Sequence, residues 1–202
     1  NIYTIQTIYI HPNYDNTRFN NDIAVIKLAR PITFSDRVSA VCLPQTNDSS
    51  VIFNKNVVIT GWGSTTGSQQ SAPFFLQQAN LLVTISNSKC FLTGTFNTNT
   101  KYWAIESGLF PDTNACFGDS GGPLVFFDGQ KWIIYGITSY VSVYLNRNCN
   151  PTLPSFYTSV PYFLSYIQNP YNPYNYGIRI SDKIPKATIV LLNIIIFYAL
   201  KF

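Results

Sequence analysis

A serine within the sequence ACFGDSGGPLV, residues 115–125, has the surroundings of a nucleophile. Ser120 lies between the acidic Asp119 and a pair of glycines, and such residues favour a tight turn that exposes the hydroxyl. A serine hydroxyl attacks a carbonyl only when a neighbouring base takes its proton, and histidine is the usual base. The sequence contains one histidine, His11. The first question is therefore whether His11 is that base.

The composition is typical of a packed globular protein. It is 46% hydrophobic and only 11% charged, which excludes a disordered chain. The net charge of +4 comes from scattered basic residues, so no nucleic-acid partner is expected.

The cysteines favour disulfides over a metal site. They are Cys42, Cys90, Cys116 and Cys149. No pair has the Cys-x-x-Cys spacing and no histidine cluster accompanies them, so we predict no metal site and a secreted protein. The triplet Asn47-Asp48-Ser49 is an N-glycosylation sequon, which agrees with secretion.

Short apolar runs between turn residues indicate an all-β fold. They predict strands at Ile2–Ile10, Ile23–Leu28, Val57–Thr60, Leu81–Ile85, Pro123–Phe127, Trp132–Thr138 and Phe156–Thr158. Val160–Gln168 predicts a helix, because a proline lies in its first turn and Asn169-Pro170 follows it. This pattern favours an antiparallel barrel or sandwich.

Residues 169–202 differ from the rest and are predicted to be a linker followed by an apolar extension. The segment Ala187–Leu200 is uncharged but shorter than the roughly 20 residues that a membrane-spanning helix needs. Three interpretations remain open: non-coding sequence joined to the gene model, a lipid-anchor signal, or an extension that packs on the fold. A membrane partner is not expected, although the extension is unexplained.

Several segments occur in the order found in one protein family. They are Asn20–Leu28, Val41–Pro44, Thr60–Gly63, Ala115–Val125, Gly136–Tyr140 and the closing helix. Together they resemble the chymotrypsin-like serine endopeptidases. The resemblance covers residues 1–168. It implies two antiparallel Greek-key β-barrels, the N-terminal one incomplete, with a C-terminal helix and no cofactor.

The resemblance assigns catalytic roles to four residues. Ser120 matches the nucleophile, and Asp22 matches the acid that orients the catalytic histidine. The N–H groups of Gly118 and Ser120 match the oxyanion hole. Asp119 matches the acid that pairs with the new amino terminus after zymogen cleavage. Taken singly, the same residues are also compatible with an ordinary buried strand and an ordinary turn.

The resemblance also outlines a substrate pocket. Asn114 matches its floor, and Ser139, Tyr140 and Val141 match the edge strand that holds the substrate backbone. Val141 and Ser155 match the pocket walls. Asn114 carries no charge to pair with lysine or arginine, and the sequence GITSYVS is similar to the elastase-like and brachyurin-like branches. A preference for small or medium apolar residues is therefore expected.

The same comparison predicts one disulfide. Cys116 and Cys149 match the bridge between the nucleophile loop and the pocket wall. Cys42 matches a position that often bonds an upstream residue. Cys90 matches one end of a loop bridge, but its usual partner position near Glu106 is not a cysteine, so Cys90 is either free or differently paired.

The base, by contrast, is not found. The family's catalytic histidine belongs to an Ala-Ala-His-Cys motif far upstream of the acid, whereas His11 lies in IHPNYD, where the family has a surface loop. We therefore interpret His11 as a loop residue and the chain as lacking about the first third of the domain. The chain as written is predicted to be inactive or nearly so, and poorly soluble.

These observations predict a secreted serine endopeptidase that acts on proteins or peptides. Protease inhibitors are possible partners. The alternative is a non-catalytic homologue that acts as a binding or scaffold protein. Retention of Asp22, Asp119 and Ser120 favours the enzyme.

Overall fold

The computed structural model describes residues 2–17, 19–68, 72–83, 102–106, 113–146, 148–170 and 194–195. These residues form a three-stranded sheet and a closed six-stranded barrel. The strands are β1 (Ile5–Ile10), β2 (Ala24–Leu28), β3 (Asn56–Gly61), β4 (Gln77–Val83), β5 (Tyr102–Glu106), β6 (Pro123–Phe127), β7 (Trp132–Val141), β8 (Ser155–Ser159) and β9 (Ile194–Ile195). A 3-10 turn covers Ser50–Ile52, and helix α1 covers Leu164–Gln168.

The barrel confirms the predicted all-β class. Its strands follow the order β3-β4-β5-β8-β7-β6, and every pair is antiparallel. Strands β5 and β6 follow one another in the sequence but are not neighbours in the barrel, as in a Greek key. Alternate strand residues fill the interior; Val57, Leu81, Leu124 and Tyr157 are almost fully buried there. Ser120 lies in the described residues 113–122 that lead into β6.

The N-terminal part is a sheet in which β1 and β2 pair antiparallel. The predicted strand Ile2–Ile10 was wrong at its start, because the strand begins at Ile5 and Ile2 is 94% exposed. The outer edge of β2 is paired in parallel with β9 over two residues. Strand β9 belongs to the apolar segment Ala187–Leu200, whose other residues lie outside the described part.

The closing helix is shorter than the sequence predicted. It begins at Leu164, not Val160, because the N–H of Val160 still donates to Tyr135 of the barrel at 3.0 Å. Phe163, Tyr166 and Ile167 pack in a second core with Ile23. This core joins α1 to the segment that carries Asp22. The predicted domain boundary after residue 168 stays a prediction.

Strands β3 and β8 exceed their predicted bounds by one residue at each end, and three other barrel strands differ more. Strand β4 begins at Gln77 and ends at Val83 instead of covering Leu81–Ile85, because exposed polar residues occupy its first positions. Strand β5 was not predicted at all. Strand β7 continues past Thr138 to Val141, and this extension forms part of the candidate site.

Candidate active site

Ser120 lies just after a turn that only glycine can make. The N–H of Asp119 donates to the carbonyl of Cys116 at 3.0 Å, and Gly118 has a φ of +98°. A four-residue turn with a positive φ only at its third residue is a type II turn. A Cβ on Gly118 would also lie 3.2 Å from the Cα of Gly63. The predicted tight turn is therefore present, and Ser120 is exposed beyond it.

The loop is fixed to β7 by two backbone hydrogen bonds. The N–H of Gly121 donates to Thr138 at 2.8 Å, and the N–H of Thr138 donates to Gly122 at 2.9 Å. Among the described residues, no acceptor takes the N–H of Gly118 or of Ser120. Two N–H donors without a described backbone acceptor therefore flank Asp119 on exposed residues, one of which carries the Ser120 hydroxyl.

Asp119 lies in a cradle of backbone groups. Its Oδ1 accepts from the N–H of Gly63 at 2.8 Å, and its Oδ2 accepts from the N–H of Cys116 at 2.9 Å. A Cβ on Gly61 or Gly63 would come within 2.0 and 2.3 Å of the carboxyl group. Burial raises the pKa of Asp119, although both hydrogen bonds act in the opposite direction.

A cavity of about 430 Å³ adjoins the Asp119 carboxyl group. Its lining includes Gly61, Gly63, Thr113 and Thr138, and also Asn114, so the cavity is shared with the predicted substrate pocket. Asp119 is the only ionisable residue among the described residues that line it. The cavity can therefore take a small group that carries a positive charge, because such a group would offset the cost of burying the carboxylate.

Asp22 is held in the interior between β7 and β8. It is 2% exposed. Its Oδ2 accepts from the hydroxyl of Ser139 at 2.7 Å, and its backbone carbonyl accepts from the hydroxyl of Thr158 at 2.8 Å. The sequence predicted Ser139 as a pocket residue and did not predict its bond to Asp22. Ser139 lies 117 residues from Asp22, and no local signal could have found that contact.

His11 is a loop residue directly after β1, as the sequence predicted. Its Nδ1 accepts from the N–H of Asn13 at 3.2 Å. Its ring lies 5.3 Å from that of Phe163 and 4.9 Å from that of Tyr166. The imidazole therefore packs against Phe163 and helix α1 beside it.

Both the nitrogen and the oxygen of the Asn114 side-chain amide form hydrogen bonds within the fold. Its Nδ2 donates to the carbonyl of Leu153 at 2.8 Å. Its Oδ1 accepts from the hydroxyl of Ser155 at 2.5 Å and from the N–H of Ala115 at 2.9 Å. Ser155 is fully buried. The structure thus brings Asn114, the predicted floor, into hydrogen-bond contact with Ser155, a predicted wall.

The two neighbours of β7 pair with it over different lengths. Strand β8 pairs with β7 as far as Val141, whereas the pairing with β6 ends at Ile137. The residues Ser139–Val141, predicted to hold a substrate backbone, therefore lie beyond the end of the described β6–β7 ladder. The ring of Tyr140 stacks on that of Phe156 at 4.3 Å.

The predicted disulfide is present. Cys116 is bonded to Cys149, with 5.7 Å between their Cα atoms. Cys149 ends a hairpin in which the N–H of Tyr144 donates to Asn148 at 2.8 Å. The bridge therefore ties the turn before Ser120 to the loop that follows Val141. The thiol of Cys42 is free among the described residues, and Cys90 lies outside them.

Within the described ranges, no group of three or more histidine, cysteine, aspartate or glutamate residues could hold a metal ion. No helix in that part of the chain is long and apolar enough to cross a membrane.

Comparison with known proteins gives consistent matches. The trypsin family model matches residues 1–167. Transmembrane protease serine 11G of Rattus norvegicus is 34% identical over 173 residues, which is 83% of this chain and 39% of that protein. The protein of the same name from Mus musculus is 33% identical over 170 residues, covering 82% and 38%.

A third relative, vitamin K-dependent protein C of Equus caballus, is 34% identical over 140 residues, covering 67% of this chain and 87% of that sequence. The chain thus spans under half the length of the two transmembrane protease relatives.

Proposed function

This chain belongs to the trypsin family of serine proteases, and from that premise we propose that it supplies the nucleophile, oxyanion hole and substrate edge of a serine endopeptidase. The observation that carries the proposal is the turn at Gly118. It leaves two N–H groups without a described backbone acceptor on either side of Asp119, next to the exposed Ser120 hydroxyl.

In the proposed reaction, the Ser120 hydroxyl attacks the carbonyl of the bond to be cleaved. The N–H groups of Gly118 and Ser120 bind the oxygen as it becomes an anion; one such donor contributes about 3 kcal/mol. A histidine takes the hydroxyl proton and gives it to the amine, which leaves as the C–N bond breaks and the acyl-enzyme forms. Water then attacks the acyl carbon, and the bond from Ser120 to the acyl group breaks to release the acid. Asp22 would orient a histidine and stabilise its cation, and Ser139 would hold Asp22.

The chain as given is proposed to be inactive or nearly so. Its one histidine packs on α1 through its ring and accepts from Asn13 through Nδ1. Without a base the oxyanion hole alone would give only a small residual rate. The alternative function, a non-catalytic homologue that binds peptides or inhibitors, uses the same edge and the same N–H groups.

Asp119 is proposed to bind the amino terminus that zymogen cleavage creates. The cavity beside it supports this role, since Asp119 is the sole ionisable group among the described residues that line it. An ammonium there would offset the burial that raises the pKa of Asp119.

The pocket is proposed to prefer small or medium apolar residues, as in the elastase-like or brachyurin-like branch. Asn114 has both ends of its amide bound within the fold and offers no negative charge. A lysine or arginine side chain would gain no ion pair from Asn114, and the Asp119 carboxylate, which lines the same cavity, already accepts two backbone hydrogen bonds.

Secretion is proposed from the disulfide between Cys116 and Cys149. The partners would be protein or peptide substrates and protease inhibitors, with no nucleic acid and no cofactor. Two relatives are named transmembrane proteases. Of the three interpretations of the apolar extension, packing on the fold is supported by the pairing of Ile194–Ile195 with β2.

A fluorophosphonate probe tests the assignment of Ser120. We expect slow labelling that maps to Ser120 and disappears in Ser120→Ala. Ser142→Ala is the matched control, since that serine lies on the β7 side of the hairpin and does not alter the turn. Rapid stoichiometric labelling would contradict the proposed inactivity, and labelling at another residue alone would contradict the proposed nucleophile.

Binding of product peptides tests the pocket without requiring catalysis. Tripeptides that end in alanine, valine, leucine, phenylalanine or lysine are titrated against the chain, and their dissociation constants are compared. We expect the alanine, valine and leucine peptides to bind tighter than the lysine peptide. Tighter binding of the lysine peptide would overturn the proposed specificity.

A further inference from the structure

The loop before the 3-10 turn contains an asparagine whose side chain the fold does not use. Asn47 is exposed, and no hydrogen bond links its amide to another described residue. Asn47-Asp48-Ser49 is the only Asn-X-Ser/Thr triplet in the sequence that lacks proline at the middle position; Asn150-Pro151-Thr152 is excluded by its proline. We propose that Asn47 carries an N-linked glycan and that the glycan is added before the chain folds.

The neighbours of Asn47 maintain the loop by themselves. The N–H of Asp48 donates to the hydroxyl of Thr46 at 3.3 Å, and Oδ1 of Asp48 accepts from the N–H of Ser50 at 2.8 Å. The 3-10 turn that follows places Ile52 in the barrel core, with no exposed area. A glycan on Asn47 therefore removes no contact that holds the fold.

The burial of Ser49 in the folded chain implies that glycosylation precedes folding. It is 8% exposed, and its hydroxyl lies 3.2 Å from that of Ser159 at the end of β8. The serine hydroxyl is the part of the sequon that the transferring enzyme requires, and in the folded chain Ser49 is buried with its hydroxyl hydrogen-bonded to Ser159. Ser159 comes 110 residues later in the sequence, so the sequon is accessible until the last barrel strand joins the fold.

The transfer uses a lipid-diphosphate-linked oligosaccharide as donor. The amide nitrogen of Asn47 forms a bond to the anomeric carbon of the first sugar. The bond from that carbon to the diphosphate oxygen breaks, and the lipid diphosphate leaves with the electron pair. The amide loses one proton to solvent. No oxidant or reductant is needed.

The glycan would leave the substrate pocket open. Ser49 bonds the last residue of β8, whereas the pocket residue Ser155 is its first. Four residue steps along a strand cover about 13 Å, so the glycan and the pocket lie at opposite ends of β8. The inference rests on the proposed secretion, since the donor lipid is present only in the secretory pathway.

The test is cell-free translation of the full chain behind a signal peptide, in the presence of microsomes. We expect one mobility shift that peptide N-glycosidase reverses. The shift should disappear in Asn47→Gln and in Ser49→Ala, and should remain in Asn16→Gln, which alters an exposed asparagine outside any sequon. No shift in the natural sequence, or a shift that persists in Asn47→Gln, would overturn the site.

A second measurement tests whether glycan transfer must precede folding. The unglycosylated chain, folded or urea-unfolded and then diluted, is mixed with solubilised transferase and its lipid-linked donor. We expect transfer only to the unfolded sample; equal transfer to both would overturn the required order. Neither readout depends on catalysis or peptide binding. Failure of the glycan therefore leaves the protease assignment standing, and failure of peptide binding leaves the glycan standing.

Discussion

Replacement of Gly63 by alanine should dislodge the Asp119 carboxyl group. A Cβ at this position would lie 2.3 Å from Cγ, 2.3 Å from Oδ2 and 2.4 Å from Oδ1 of Asp119. These separations are far shorter than any ordinary carbon–oxygen contact. The carboxyl group must therefore move, although hydrogen bonds from Gly63 and Cys116 hold it in place.

The structure sets the size of the effect. A hydrogen bond to a charged group contributes about 1.5–3 kcal/mol, and the displaced carboxylate would lose two. Part of this loss is recovered, because the group can turn toward the adjacent cavity and take up water. We expect a decrease of about 3 kcal/mol in the free energy of unfolding. The turn at Gly118 should move as well, since Asp119 ends it.

Urea unfolding followed by tryptophan fluorescence measures this change. The matched control is Gly129→Ala, which has a φ of +99° and nothing within 4 Å of the added Cβ. Backbone strain alone should cost that variant about 1 kcal/mol. A product peptide should bind more weakly to Gly63→Ala and equally well to Gly129→Ala. Equal stability losses in the two variants would refute the reasoning.

Three further predictions concern the same site. Ser139→Ala removes the donor to the buried Asp22 carboxylate and should cost about 2 kcal/mol in urea unfolding; an unchanged midpoint would contradict this. Replacement of Cys116 and Cys149 by serine removes a cross-link between residues 33 apart, and thermal unfolding should show a loss of about 3.5 kcal/mol. Burial raises the pKa of Asp119 above 3.8, so the native chain binds its proton more tightly than the unfolded chain. Stability should therefore decrease as the pH rises from 3.8 through the raised pKa, and Asp119→Asn should flatten that decrease; an identical pH profile would count against it.

The sequence predicted those parts of the fold that depend on local pattern. Strand β6 has the predicted bounds, Pro123–Phe127, because a short apolar run lies between turn residues on both sides. Strand β5 was missed: it pairs with β4 and β8, which are distant in sequence, and such pairing leaves no local signal.

The candidate site likewise has parts that the sequence could predict and parts that it could not. The turn at Gly118 was predictable, because glycine next to an acid and a serine has few conformational alternatives. The bond from Ser139 to Asp22 and the bonds from Asn114 to Leu153 and Ser155 join residues 117, 39 and 41 positions apart. Those contacts exist only once the barrel has closed, so composition and spacing could not reveal them.

The most direct test of the central claim is an NMR titration of the ¹⁵N-labelled chain with an apolar product tripeptide. A terminal carboxylate in the site would accept hydrogen bonds from the N–H groups of Gly118 and Ser120. The account predicts that these two amide signals, with those of Ser139–Val141, shift most and saturate with one dissociation constant. Peptide binding that leaves the Gly118 and Ser120 signals unchanged would contradict it.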